Sequence, residues 1–176
     1  MRLIPVLIIC QLLAACTTMD ARLTLEPYTK DKTKRDALEA LAERYCRLKR
    51  NAPVANRLPD FIFTTDGCSR APDDHWAACC VMHDIPYWCG GSRKDREVAD
   101  QLLEQCVNQQ ATFVGSLFYT GVRFGGTPWL PTPWRWGYGW ADWPHGYDPL
   151  AHSPAVDRLL EQLQVKKIIL EQLQKK

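Results

Sequence analysis

Between positions 79 and 87 the chain reads Cys-Cys-Val-Met-His-Asp-Ile-Pro-Tyr: two cysteines, an imidazole, a carboxylate and a phenol within nine residues. A segment that only packs has no use for this combination. On an α-helix, residues four apart share a face, so Cys79, His83 and Tyr87 line one strip and Cys80 and Asp84 the next. A disulfide at each cysteine would pin a partner segment one turn before His83 and one turn before Asp84, and such pinning preorganises a site. Adjacent cysteines are a poor chelating pair for zinc, and Met82 in front of His83 rules out the Cys-x-x-Cys-His haem motif.

Whether those sulfurs are oxidised depends on the compartment, which the amino-terminal residues address. Arg2 precedes an apolar run over residues 3–15, broken only by Pro5 and Gln11. Such a run suits a signal peptide and is too short to anchor in a bilayer. Leu13-Ala14-Ala15-Cys16 resembles a bacterial lipobox, which predicts lipidation at Cys16 and, with Thr17 behind it, an outer-membrane lipoprotein facing the periplasm. The polar residues 16–34 read as a tether. Six further cysteines remain, Cys46, Cys68, Cys79, Cys80, Cys89 and Cys106. An even number in an oxidising compartment predicts three disulfides, with 15 possible pairings. The formal net charge is +2, and basic residues are interspersed with acidic ones, so nucleic acid is not an expected partner.

The elements that must position the site follow from periodicity. Leu38, Leu41, Ala42 and Tyr45 recur at helical spacing across residues 36–49, before Pro53 and Pro59. Turn formers fill residues 64–74. A second helix is expected to be capped at Asp73 or Asp74 and to run to Trp88, where Gly90-Gly91 ends it. Ser92 then caps a third, with Val98, Leu102, Leu103 and Val107 as its buried stripe. Two antiparallel helices joined by a short turn result. Residues 125–152 form a Trp, Gly and Pro series without period. There Trp129, Trp134, Trp136, Trp140 and Trp143 either wrap the core or form a membrane-interface patch. Residues 153–176 read as an amphipathic helix with Val156, Leu159, Leu160, Leu163, Leu170 and Leu173 on one side and Lys166, Lys167, Lys175 and Lys176 available to a lipid surface. That helix packs on the domain, pairs with a protein partner or lies on a membrane. His75, His145 and His152 lack ligand-like spacing and read as surface or packing residues.

Paired cysteines, two spacers, His-Asp and a tyrosine three residues on resemble the secreted phospholipase A2 superfamily, most nearly its group XII and bacterial branches, over roughly residues 66–106. The resemblance implies a mainly α, disulfide-stapled domain (residues 35–124) and calcium-dependent hydrolysis of a phospholipid ester. It assigns His83 as base, Asp100 as the carboxylate that orients it, Tyr87 as that carboxylate's hydrogen-bond donor, and Asp84 with the carbonyls of Gly67, Ser69 and Ala71 as Ca²⁺ ligands. Spacing alone does not separate Asp100 from Asp95, Glu97 or Glu104; the resemblance makes that choice. It also implies the bridges Cys68–Cys80 and Cys79–Cys106, and with them Cys46–Cys89.

The chain departs from the family pattern in two places. Pro86 and Ala99 stand where a further cysteine pair is usual, and the loop from Asp66 to Pro72 carries one glycine where the family's is glycine-rich. A non-catalytic envelope lipoprotein that keeps the helical pair as a scaffold for binding lipid or a protein partner is the competing expectation.

Overall fold

The computed structural model describes residues 32–49, 58–71 and 76–148, and position 158. The expected leader with Cys16, nearly all of the expected tether and all but position 158 of the expected carboxyl-terminal helix lie outside the described residues. Four helices and no strand occur among the described residues: α1 (Lys32–Lys49), α2 (Ala77–Cys89), α3 (Arg93–Asn108) and α4 (Val114–Gly125). The chain is mainly helical, as expected. No described helix is long and apolar enough to cross a membrane.

α2 is the centre of the fold. All of its residues except Met82 are buried, which is the pattern of a helix covered on every side. α1 lays Leu38, Leu41, Ala42 and Tyr45 against its Val81, Ile85 and Trp88, and Cys46–Cys89 ties the two together. α1 begins at Lys32, four residues before the expected start at position 36, with a Lys32–Asp36 ion pair one turn apart. The caps expected at Asp73 and Asp74 fall outside the described residues; the helix itself opens after Trp76.

The turn after α2 matches its sequence signals. Gly90 adopts φ +72° and its N–H bonds back to the Pro86 carbonyl. Ser92 then forms a full capping box: its hydroxyl accepts from the Asp95 N–H, while the Asp95 carboxylate accepts from the Ser92 N–H at 2.7 Å. α3 therefore returns antiparallel to α2, and Cys79–Cys106 staples the pair across a separation of 27 residues.

α4 was not expected from periodicity, because Gly115, Gly121 and Gly125 interrupt its apolar pattern. One of those glycines makes its packing possible. A Cβ on Gly115 would lie 2.2 Å from the Glu104 carbonyl oxygen, so α3 and α4 cross with their backbones nearly touching. Val114, Phe118 and Val122 then pack over Leu103, Val107 and two of the disulfides.

The Trp-rich segment wraps the carboxyl end of α2. The last carbonyls of a helix have no intrahelical donor. Here Gly137 N–H bonds to Tyr87 O, Gly139 N–H to Trp88 O and Trp140 Nε1 to Cys89 O. Trp136 and Trp140 are buried, whereas Trp129 and Trp143 are about half exposed. Of the two expectations for these rings, core wrapping holds for the first pair.

All three bridges implied by the resemblance are present: Cys46–Cys89, Cys68–Cys80 and Cys79–Cys106. Replacing both Cys79 and Cys106 by serine is expected to lower stability by about 3.5 kcal/mol, the loop-closure value for a loop of this length. Chemical denaturation of the oxidised proteins checks this; an unchanged midpoint would mean that helix packing alone sets the α2–α3 register.

Candidate active site

His83 and Asp84 are neighbours on α2 and face different partners. His83 turns toward α3, where its Nε2 lies 2.9 Å from Asp100 Oδ1. The Tyr87 hydroxyl, one helical turn beyond His83, donates to the same carboxylate oxygen at 2.8 Å, and the imidazole lies over the Tyr87 ring with centroids 4.2 Å apart. The second oxygen, Oδ2, accepts from Arg123 of α4 at 2.8 Å. Arg96, one turn before Asp100 on α3, donates from Nε to the Tyr87 hydroxyl at 3.1 Å and stands 3.9 Å from Oδ2. Its remaining nitrogens bond to Tyr147 and to the carbonyls of Val122 and Arg123 at the carboxyl end of α4, where a cation also suits the helix dipole.

These contacts decide the protonation of the site. Asp100 is completely buried. Burial pushes its carboxyl up, but hydrogen bonds from His83, Arg123 and Tyr87, with the charge of His83, outweigh that and hold it below the ordinary aspartate value. Tyr87 moves the other way: burial, then the Asp100 charge, push its hydroxyl well above the usual range, so it keeps its proton and donates it to Asp100 while accepting from Arg96. With Asp100 an anion, His83 Nε2 donates the 2.9 Å bond, which in the neutral imidazole leaves the lone pair on Nδ1. Gly126 keeps Tyr87 in place, since a Cβ there would come within 2.5 Å of the tyrosine ring.

Asp84 faces the loop preceding α2. Thr65 Oγ1 donates to its Oδ2 at 2.5 Å and itself accepts from the Gly67 N–H at 3.1 Å. Ser69 donates to Asp66 Oδ1 at 2.7 Å, and the Ala71 N–H closes a turn on the Cys68 carbonyl. Gly67 and Arg70 both take positive φ, +74° and +59°. Cys68–Cys80 clips this loop one turn before Asp84. Tyr138 reaches in from the Trp-rich segment to donate to Thr64 O, and its hydroxyl is raised well above the usual value by burial and then by the charges of Asp84 and Asp66.

Both halves open on one cavity of about 420 Å³. Gly67, Ser69, Ala71, His83 and Asp84 line one side; Leu117, Phe118 and Val122 of α4 line the other. The seven residues singled out as base, orienting groups and cation ligands thus meet at one place, with Asp100 behind the histidine. Among the described residues no three His, Cys, Asp or Glu side chains group to hold a metal. A cation here would rest on Asp84 and on backbone carbonyls, an all-oxygen donor set of the kind a hard cation takes.

Thr65, Arg96, Arg123 and Tyr138 were missed from sequence. Arg96 carried a usable signal, a cation four residues before a carboxylate on one helix. Arg123 carried none, because its helix was not read. Comparison with known proteins finds no matching family model, no matching curated protein and no matching solved structure. The functional reading therefore rests on this geometry and on the sequence resemblance.

Proposed function

We propose that the protein is a phospholipase A2-like hydrolase that cleaves a phospholipid ester with calcium, acting from a lipid-anchored position in a bacterial envelope through Cys16. The observation that carries this reading is the buried His83 Nε2–Asp100 Oδ1 bond of 2.9 Å at a cavity that also holds Asp84. Asp100 fixes the tautomer. His83 Nδ1 takes a proton from water as it attacks the ester carbonyl, and the same proton passes on to the departing alkoxide. The imidazolium formed in between is stabilised by the carboxylate behind it, so no covalent intermediate is needed. The α4 wall, with Leu117, Phe118 and Val122, accepts the acyl chain.

Asp84 and the carbonyls of Gly67, Ser69 and Ala71 would hold the calcium ion. When bound, calcium supplies Lewis-acid polarisation of the ester carbonyl and a counter-charge for the phosphate. Calcium-dependent release of fatty acid from phospholipid vesicles by the purified protein tests the proposal. Asp84→Asn removes the one charged ligand and is expected to weaken calcium binding by about tenfold or more in calorimetry. If neither fatty acid nor calcium heat is detected with the parent protein, the reading gives way to the scaffold lipoprotein that binds lipid or a partner.

A further inference from the structure

A second cavity, of about 290 Å³, opens between α2 and α3. Cys79 and Cys106 both line it, together with Met82, Pro86, Ala99 and Gln105, and no Asp, Glu, Lys or Arg does. His83 borders this cavity as well as the first. The six bridging cysteines are not equally covered. Cys46 and Cys89 are completely buried, and Cys68, Cys79 and Cys80 nearly so. Cys106 alone among the six is only partly buried. Attack on a disulfide depends on access to one of its sulfurs, and Cys79–Cys106 is the bridge with an uncovered end.

The place of this bridge gives its accessibility a consequence. Cys46–Cys89 joins α1 to α2, and Cys68–Cys80 joins the preceding loop to α2, so Cys79–Cys106 is the one cross-link between α2 and α3 among the described residues. Pro86 and Ala99, in the cavity wall, carry no sulfur to make a second. Cys79 stands one turn before His83 and Cys106 six residues beyond Asp100, and the His83–Asp100 bond crosses between the same two helices. We infer that Cys79–Cys106 is a thiol-addressable bridge, opened by a low-molecular-weight thiol entering the second cavity, and that its opening releases the helix register on which the His83–Asp100 pair depends. The entering thiolate bonds to Cys106 Sγ, the Cys79–Cys106 bond breaks, and Cys79 leaves as a thiolate that takes up a proton. A second thiolate then attacks the sulfur of the bound thiol and frees Cys106, so two thiols are oxidised to one disulfide as the bridge is reduced. No carboxylate lines the cavity to repel the entering anion. The opening stands by itself; its effect on turnover rests on the proposed function.

The test incubates the oxidised full chain with glutathione, quenches with an alkylating agent and maps the cysteines by mass. Cys79–Cys106 is expected to open about tenfold or more faster than either other bridge, with glutathione first found on Cys106. Gln105 is exposed and lines the cavity. Gln105→Glu should slow the opening by about threefold and Gln105→Lys should hasten it by a similar factor, at an unchanged thermal midpoint, through charge beside the attacking thiolate. Hydrogen exchange then compares the oxidised and opened forms: amides of α3 are expected to exchange about tenfold or more faster after opening, while those of α1 stay protected. Earlier opening of Cys68–Cys80, joint opening of all three bridges, equal rates in the two Gln105 variants or unchanged α3 exchange each overturn the inference. Where the chain releases fatty acid, opening should lower turnover by about tenfold or more and reoxidation should restore it; unchanged turnover also overturns the inference. Because opening and exchange are read without turnover, selective opening in a protein that releases no fatty acid defeats the hydrolase reading and leaves the bridge standing.

Discussion

Replacing His83 by glutamine is expected to reduce ester hydrolysis by about 10² to 10⁴-fold, the contribution of a positioned general base, while the thermal midpoint moves little. Glutamine fills a similar space and its amide can still donate to Asp100 Oδ1, so the buried carboxylate keeps a partner where the imidazole now bonds at 2.9 Å. The substitution removes the lone pair on Nδ1 and nothing else of consequence. Fatty-acid release under saturating calcium, compared with the parent protein, reads the effect in the turnover number rather than in substrate affinity. Activity equal to the parent would remove His83 from the mechanism, and with it the role assigned to Asp100.

Asp100→Asn is expected to affect both stability and chemistry. The carboxylate is fully buried between Arg123 at 2.8 Å and Arg96 at 3.9 Å. A neutral amide leaves those guanidinium groups without their anion, and breaking a buried charge pair by removing one partner costs about 3–5 kcal/mol. The pH dependence follows from the direction of the shift. The Asp100 pKa is lower in the folded protein than its ordinary value of 3.8, so the folded state holds this group deprotonated where the unfolded state begins to take up a proton. Its contribution is fully present above the unfolded value and is lost as pH falls through the folded one. Thermal unfolding measured from neutral to strongly acid pH should therefore show the gap between parent and variant at its widest near neutrality and narrowing in acid. A gap that stays constant would mean that shape, not charge, holds this position.

Much of the site was legible because it is local. His83, Asp84 and Tyr87 sit on one helix at fixed offsets, so their faces follow from helical geometry alone. The Gly90-Gly91 stop and the Ser92 cap were likewise readable, because capping chemistry acts over three or four residues. What escaped was set by tertiary contact. α4 was hidden by its glycines, yet Gly115 is there because a neighbouring carbonyl leaves no room for a Cβ. Reading that requirement needs the partner helix in place. Arg123 and Tyr138 reach the site from positions 23 and 54 residues away from the aspartates they approach, and no periodicity reports such a distance. The choice of Asp100 among four acidic residues of α3 depended on the family resemblance, whereas in the folded protein it follows from burial and from convergence of His83, Tyr87 and Arg123.

The pairing of the cysteines bears on how the molecule comes to exist at all. None of the three bridges joins sulfurs that are consecutive along the chain: Cys46 passes over three others to reach Cys89, Cys68 passes over Cys79, and Cys79 passes over two to reach Cys106. A polypeptide entering an oxidising space amino end first meets an oxidant with Cys46 and Cys68 already available to each other, and every link made in order of arrival is an incorrect one. Correct assembly then requires the helices to collapse before oxidation, or an exchange catalyst that reopens early bonds through mixed disulfides. Where oxidation outpaces collapse, the molecule's yield in a host is expected to follow isomerising capacity more than oxidising capacity.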